Sequence, residues 1–531
     1  MRNGSRAVRA LGTILCGVLA ARPAAAQRAG GGPETHLVPL LSAAQLRALD
    51  AHIEQVRQQW EVPGLAIAIV QGDSVVFLKG YGAKELGKPD RVDENTLFSI
   101  GSSGKSMTAA ATAMLVDEGK MRFDDPVWTY LRDFRVADPY VSQHATIRDL
   151  LAHRTGLENA TGAWYGSSLT RAEVIKQRFR FLPQQIEFRS RMLYNNLMLM
   201  AAGEAAATVE GVSFEELMHR RVFTPLGMTA TMVNITEVRA GSNIVAPHRV
   251  VDGKLVPVPH RNTQNIGGAG GYYSNAHDMA QYLRLQLGNG VYRGKRLISE
   301  ASMAEMRSVN ISGRAPVILS DTGTAALGYG MGWFLQYYRG HRALDHGGSI
   351  DGMLTAMTLL PEDQIGVVVL TNKDGHAMHT ALVQHIFDVA LGLPERDWNA
   401  RAFARSQQSG QGGQGGQQPA SATTAPPSLA LEGYAGTYAD SLSGRMRVTF
   451  ETGSLRLEWE NHPGFTARLE PWRYNAFRVV NWESAGVLAP LASVATFRLD
   501  QSGRPAALEI SNLATFGAVR ERGGPAGPPP N

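Results

Sequence analysis

The chain has 531 residues, 44% hydrophobic and 19% charged, with one cysteine and a formal net charge of +5. That length exceeds what one compact core usually holds, so two domains are expected. Four arginines fall within residues 1–26; the remainder is nearly neutral, which excludes a nucleic-acid or anionic-membrane footprint, and a lone cysteine excludes a disulfide framework.

In chain order, Arg2, Arg6 and Arg9 precede a short apolar run over residues 10–21, and Ala24-Ala25-Ala26 offers small residues for signal peptidase. Residues 1–26 read as a signal peptide, because a membrane span needs about twenty apolar residues and Arg22 and Pro23 interrupt sooner. Cys16 follows Leu15, not the small residue of lipoprotein processing, so no stable membrane anchor is expected. The mature protein is placed in the periplasm or outside the cell, after cleavage near Ala26, with residues 27–41 as a flexible lead.

Ser42 and Gln45 form a capping box opening a helix through Leu46, Leu49, Ile53 and Val56. Residues 65–70 and 75–78 are strand-like and joined through Gly72-Asp73, a hairpin signal. A helix is expected from Ser102 to about Glu118, stopped by Gly119. Helices dominate to about Gly288, strands return at 331–338, 353–360 and 365–370, and a last helix covers 378–391. Strands at both ends with helices between predict an α+β domain over 42–403: an antiparallel sheet flanked by helices, with a helical subdomain.

Residues 404–428 are expected to be a Gln/Gly/Pro-rich linker, because 407–428 lack the apolar content to fold. The period then changes to two: Met446-Val448-Phe450 and Leu455-Leu457-Trp459 alternate across Thr452-Gly453-Ser454, and 477–480, 495–499 and 508–510 continue it. Residues 429–522 predict a small all-β domain, a sandwich or a barrel, and 523–531 a disordered tail.

Ser102 and Lys105 are three apart, a spacing that puts both on one helix face. A serine hydroxyl needs a neighbour to take its proton, and a helix start favours developing negative charge. The same stretch, Ser99-Ile-Gly-Ser-Ser-Gly104-Lys105-Ser106, is one glycine short of a phosphate-binding loop. No later strand offers a convincing magnesium-binding aspartate, and export removes the ATP supply, so acyl transfer is favoured. Such chemistry needs proton carriers and oxyanion donors. Tyr194-Asn195-Asn196 would present Tyr194 and Asn196 from a turn before a helix; beside a lysine ammonium, the tyrosine's pKa is expected to fall. His346-Gly347-Gly348 precedes a strand and would lie on its edge, glycine allowing close backbone approach. His376, His379 and His385 do not have a standard ligand spacing and read as the start of the last helix, so no metal and no cofactor are expected.

This ordered set resembles the serine β-lactamase and penicillin-recognising superfamily, in its class C β-lactamase, D-aminopeptidase and esterase branch. The likeness spans residues 46–393. Phe98-Ser-Ile-Gly-Ser102-Ser-Gly-Lys105, Tyr194-Asn-Asn196 and His346-Gly-Gly348 resemble its three motifs. Leu150-Leu-Ala-His153-Arg-Thr-Gly156-Leu157, Pro225-Leu-Gly-Met228, Gly270-Gly-Tyr-Tyr-Ser274 and Tyr329-Gly-Met-Gly-Trp333 match family segments between them. The resemblance implies that Ser102 forms an acyl-enzyme and that Lys105 and Tyr194 share the proton work, the formal base being open. It implies that Asn196 orients Lys105 and substrate, and that the backbone N–H groups of Ser102 and Ser349 form the oxyanion hole. His346 and Gly348 stand where class C β-lactamases carry Lys-Thr-Gly, which favours esters or D-residue peptides over β-lactams. The alternatives are a class C-type β-lactamase, told apart by fast nitrocefin turnover, and a penicillin-binding sensor that acylates without turnover. The expected partner is a small ester, peptide or β-lactam; oligomeric state is not readable. The C-terminal domain is similar to the lipocalin-like module of some relatives.

Overall fold

The structure, a computed structural model, describes residues 38–251, 253–313, 326–411, 425–483, 494–511 and 513–519. The signal-peptide reading of 1–26, the tail at 523–531 and the middle of the linker lie outside the described residues.

Among the described residues the six longest helices of the first domain are α1 (Ala43–Gln59), α2 (Lys105–Asp117), α3 (Asn196–Glu210), α4 (Ala276–Leu287), α5 (Met378–Leu391) and α6 (Trp398–Gln411). Its sheet strands are β1 (Gly64–Gln71), β2 (Ser74–Gly82), β3 (Ala326–Tyr329), β4 (Phe334–Tyr338), β5 (His341–Asp345), β6 (Gly348–Ile350), β7 (Met353–Leu360) and β8 (Ile365–Thr371). The order is β2-β1-β8-β7-β5-β4-β3, antiparallel throughout, with β6 pairing β7 alone. The expected antiparallel sheet flanked by helices is what the chain forms.

Local chemistry explains the entry to this domain. Ser42 accepts from the Gln45 N–H while the Gln45 side chain takes the Ser42 N–H, so two orphan donors are satisfied reciprocally. In β1 every residue is buried, and the pleat sorts them by size. Leu65, Ile67 and Ile69 join Ile53 of α1 and Ile386 and Phe387 of α5, whereas Ala66, Ala68 and Val70 join the cluster of α2 and α4. Fully burying each such leucine or isoleucine contributes roughly 1.5–3 kcal/mol. Helix α2 is alanine-rich and buried on every side from Lys105 to Leu115, so its first turn carries a lysine into the protein interior.

Helix α6 runs to Gln411, into the stretch whose composition predicts linker. Its anchor is Trp398, buried beside Tyr338 and donating from Nε1 to Asp388 at 2.7 Å; composition counts residues and does not see such an anchor.

The second domain resolves to a closed eight-stranded barrel: β9 (Gly436–Asp440), β10 (Gly444–Glu451), β11 (Ser454–Trp459), β12 (Thr466–Arg473), β13 (Ala476–Glu483), β14 (Val494–Leu499), β15 (Pro505–Ile510) and β16 (Ala514–Ala518). Sequence periodicity misses β9, β12 and β16. Gly436, Pro471 and Gly517 weaken their strand signal, and ring closure supplies the partners that local propensity lacks. Tyr434, Tyr438, Phe477 and Phe497 pack within the barrel, ring centroids 4.9–5.5 Å apart. Both tyrosine hydroxyls are satisfied, Tyr434 by Asn475 and Tyr438 by the Tyr434 carbonyl.

Candidate active site

Ser102 lies in a 3-10 turn, Gly101–Gly104, that leads directly into α2. The turn is tighter than the α-helical start expected from sequence. With three residues per turn, Ser102 and Lys105 stack one above the other. Lys105 Nζ sits 2.8 Å from Ser102 Oγ and donates to Asn196 Oδ1 at 2.8 Å and to the Ala269 carbonyl at 2.6 Å. Lys105 has no solvent exposure, and desolvation of its ammonium holds its pKa well below the ordinary lysine value. An amine engaged in this way does not present itself to a phosphate.

The second motif is fastened before it reaches the cleft. Asn195 caps α3, accepting from the Met198 N–H, while its amide donates to the Leu157 and Glu158 carbonyls, both at 2.9 Å. The Asn196 N–H donates to Asn159 Oδ1 at 2.7 Å. His153, fully buried at a positive φ of 56°, lies tilted against Tyr194 with ring centroids 4.3 Å apart. It accepts from the Asn195 N–H at Nδ1, so its proton resides on Nε2. The His-x-Thr-Gly turn therefore acts by holding Tyr194 and Asn195. Lys105 Nζ lies 4.8 Å from the Tyr194 ring centroid. The tyrosine's pKa does not fall as expected; it rises. Crowding by protein atoms desolvates the phenolate, opposed only by the Ser102 hydroxyl, and a lysine with a depressed pKa is a poor source of compensating charge.

His346 is buried and its pKa is lowered to about 3, by desolvation first and by Lys105 second. Its Nδ1 faces the Gly347 carbonyl at 2.8 Å, which only accepts, so Nδ1 carries the proton. Nε2 then accepts from the Tyr329 hydroxyl at 3.1 Å. Both ring nitrogens are spent inside the protein.

Gly348 and Gly101 set how closely two segments approach. A Cβ at Gly348 would lie 1.9 Å from the Ile100 carbonyl oxygen, and one at Gly101 2.9 Å from the Ser349 nitrogen. Only this contact without Cβ atoms brings the Ser102 and Ser349 backbones to one side of the cleft. Gly348→Ala is accordingly expected to cost about 2–3 kcal/mol of stability and to lower kcat about a hundredfold, read by thermal unfolding and ester turnover.

Ser102, Tyr194, His346 and Ser349 share one cavity of about 830 Å3, with Met192, Phe334 and Leu354 giving an apolar wall and exposed Arg191 among its lining residues. No barrel residue lines it among the described residues. His379 also lines the cavity and lies edge to face with His376, while His385 sits tilted against His52 away from it; among the described residues no cluster of three or more metal-ligating side chains occurs. Sequence reasoning missed the Ala269 carbonyl, Tyr329 and Phe334, which arrive from distant segments. It also missed the hairpin turn Asp351-Gly352, although Asp-Gly between apolar runs is the strongest short hairpin signal.

A family model described as Beta-lactamase matches residues 49–391, and one described as a domain of unknown function (DUF3471) matches residues 420–521. The unguisins hydrolase ungD' of Aspergillus campestris (strain IBT 28561) is 29% identical over 408 residues, 73% of this chain and 74% of that one. The D-alanyl-D-alanine-carboxypeptidase/endopeptidase AmpH of Escherichia coli (strain K12) is 25% identical over 320 residues, 58% of this chain and 79% of its own. Among solved structures, the octameric penicillin-binding protein homologue from Pyrococcus abyssi superposes with a TM-score of 0.58 at 22% identity, covering 88% of this chain and 99% of that one, a likeness of fold.

Proposed function

The chain belongs to the Beta-lactamase family and is a serine hydrolase of that fold; we propose that it cleaves esters or amides, D-residue peptides among them, through an acyl-enzyme on Ser102. The observation that carries this reading is the set of partners around Lys105 Nζ. Two of the three are carbonyl oxygens, Asn196 Oδ1 and Ala269 O, which take the two N–H bonds of a neutral amine. The remaining lone pair then points at Ser102 Oγ, 2.8 Å away. Lys105 is the base. Tyr194, whose pKa is raised, keeps its proton and relays one from Lys105 to the leaving group.

Attack by Ser102 Oγ on the carbonyl carbon transfers the serine proton to Lys105 and places the negative charge on the carbonyl oxygen. The backbone N–H groups of Ser102 and Ser349 receive that charge, worth several kcal/mol in the transition state. Collapse expels the leaving group with a proton supplied through Tyr194. Water then repeats the sequence on the acyl-enzyme, with Lys105 again taking the proton.

The third motif bears on the substrate. His346 is neutral with both nitrogens occupied, so it offers neither charge nor N–H to a carboxylate beside the scissile bond. The apolar wall suits an uncharged acyl group, and the carboxypeptidase/endopeptidase name of AmpH supports peptide amides as a natural class. The basic, apolar and alanine-rich start of the chain supports export with cleavage near Ala26. No helix among the described residues is long and apolar enough by itself to cross a membrane.

A panel of p-nitrophenyl butyrate, D-alanyl-p-nitroanilide and nitrocefin, with rapid-quench mass spectrometry of the Ser102 peptide, tests the proposal. Faster turnover of the first or second than of nitrocefin, with an acyl adduct on Ser102, is expected. Nitrocefin as the preferred substrate would make the chain a β-lactamase, and a stable cephalosporoyl adduct on Ser102 without any turnover would make it a sensor.

A pH profile follows from the base. Free Lys105 amine accumulates as pH rises through its depressed pKa, so kcat/KM is expected to increase with an inflection below the ordinary lysine value. An inflection at or above that value would remove Lys105 from the role.

A further inference from the structure

Strand β6 carries Ser349, and its position depends on the turn that joins it to β7. Ile350 pairs with Met353 across Asp351-Gly352, both at positive φ, 22° and 78°. Asp351 has a side chain in a conformation that favours glycine, so its surroundings must hold it there. They do. Its buried carboxylate accepts from the Tyr165 hydroxyl and from Arg261 Nε at 2.6 Å, with Arg249 at 3.9 Å. The Gly352 N–H donates to Asp374 at 3.1 Å, which in turn accepts from Arg249 at 2.6 Å.

The Arg261 guanidinium lies against two aromatic rings, 4.7 Å from the Tyr165 centroid and 4.9 Å from that of Phe465. Phe465 belongs to the barrel, in the connection between β11 and β12. That connection is seated firmly on the first domain. A Cβ at Gly166 would lie 2.3 Å from the Phe465 ring, and the turn between β9 and β10 is seated beside it, a Cβ at Gly162 falling 2.5 Å from Ser443 Oγ. The Ser168 N–H donates to the Asn461 carbonyl at 2.7 Å, and Phe465 itself is 1% exposed. A desolvated cation against two rings is held in position and direction.

We propose that the barrel is a positioning element of the active site. Phe465 fixes Arg261, Arg261 fixes Asp351, and Asp351 fixes the turn that aims the Ser349 N–H at the reacting carbonyl. The proposal rests on the reading of Ser349 as an oxyanion donor. It gives the barrel a part in catalysis without any barrel residue touching the substrate.

The test uses Arg261→Gln, Phe465→Leu and the double variant in the full chain, with active sites counted by fluorophosphonate labelling of Ser102. On p-nitrophenyl butyrate, kcat per labelled site is expected to fall roughly tenfold with KM within about twofold, because a displaced donor weakens the transition state and not ground-state binding. The double variant is expected to be no slower than Arg261→Gln alone, since both break one chain of contacts. Phe497→Leu, inside the barrel, should lower the melting temperature and leave kcat per labelled site unchanged. If Phe465→Leu does not fold, Arg261→Gln decides. Unchanged kcat per labelled site in Arg261→Gln, or additive losses in the double variant, would overturn the proposal. A wild-type chain in which Ser102 takes no label would instead overturn the acyl-enzyme reading beneath it.

Discussion

Ser102→Ala is expected to abolish acyl-adduct formation and to reduce ester turnover by roughly four orders of magnitude or more. In the proposed mechanism the serine is the nucleophile, and its Oγ is the atom against which Lys105 is aimed, so its removal leaves no second route to the acyl-enzyme. Stability should hardly change. The Ser102 hydroxyl meets Lys105 and Tyr194, and the turn that carries it is set by backbone hydrogen bonds and by Tyr272 packed on Gly104. The check is kcat/KM together with thermal unfolding on the same preparation. Residual turnover above about one per cent of wild type, with the fold intact, would mean that another nucleophile does the chemistry.

Lys105→Met is expected to lower kcat/KM about a thousandfold and to remove the inflection from the pH profile. Methionine fills similar space in the buried first turn of α2, but it cannot take a proton. Asn196 Oδ1 and the Ala269 carbonyl lose their donor, at about 1–3 kcal/mol for a buried acceptor left unpaired. Removing a desolvated amine offsets part of that loss. The melting temperature should therefore fall modestly while the rate collapses, and circular dichroism at the assay temperature separates the two. Retention of more than a tenth of the activity would hand the role of base to Tyr194.

Much of this site is legible because its motifs are local. Ser102 and Lys105 lie one turn apart, and Tyr194 and Asn196 flank a helix cap, so spacing alone brings each pair together. The capping box at Ser42, the hairpin at Gly72-Asp73 and the bounds of β7 and α5 are legible for the same reason: each rests on interactions within a few residues. The direction of the Tyr194 shift is not local. It depends on how much protein surrounds the ring and on whether its lysine neighbour carries a charge. The Ala269 carbonyl on Lys105, the Tyr329 hydroxyl on His346 and the Arg261 guanidinium against Phe465 join residues about 164, 17 and 204 apart in the chain.

By itself, then, the sequence determined the family and the α+β class, because these are written in residue type and short spacing, and it supplied the residues proposed to carry the chemistry. Only the tertiary structure decided the direction in which burial shifts the pKa of those residues, how closely Gly348 meets Ile100, and where the barrel docks. Those are properties of desolvation and of contact between distant segments, and no short stretch of chain contains them.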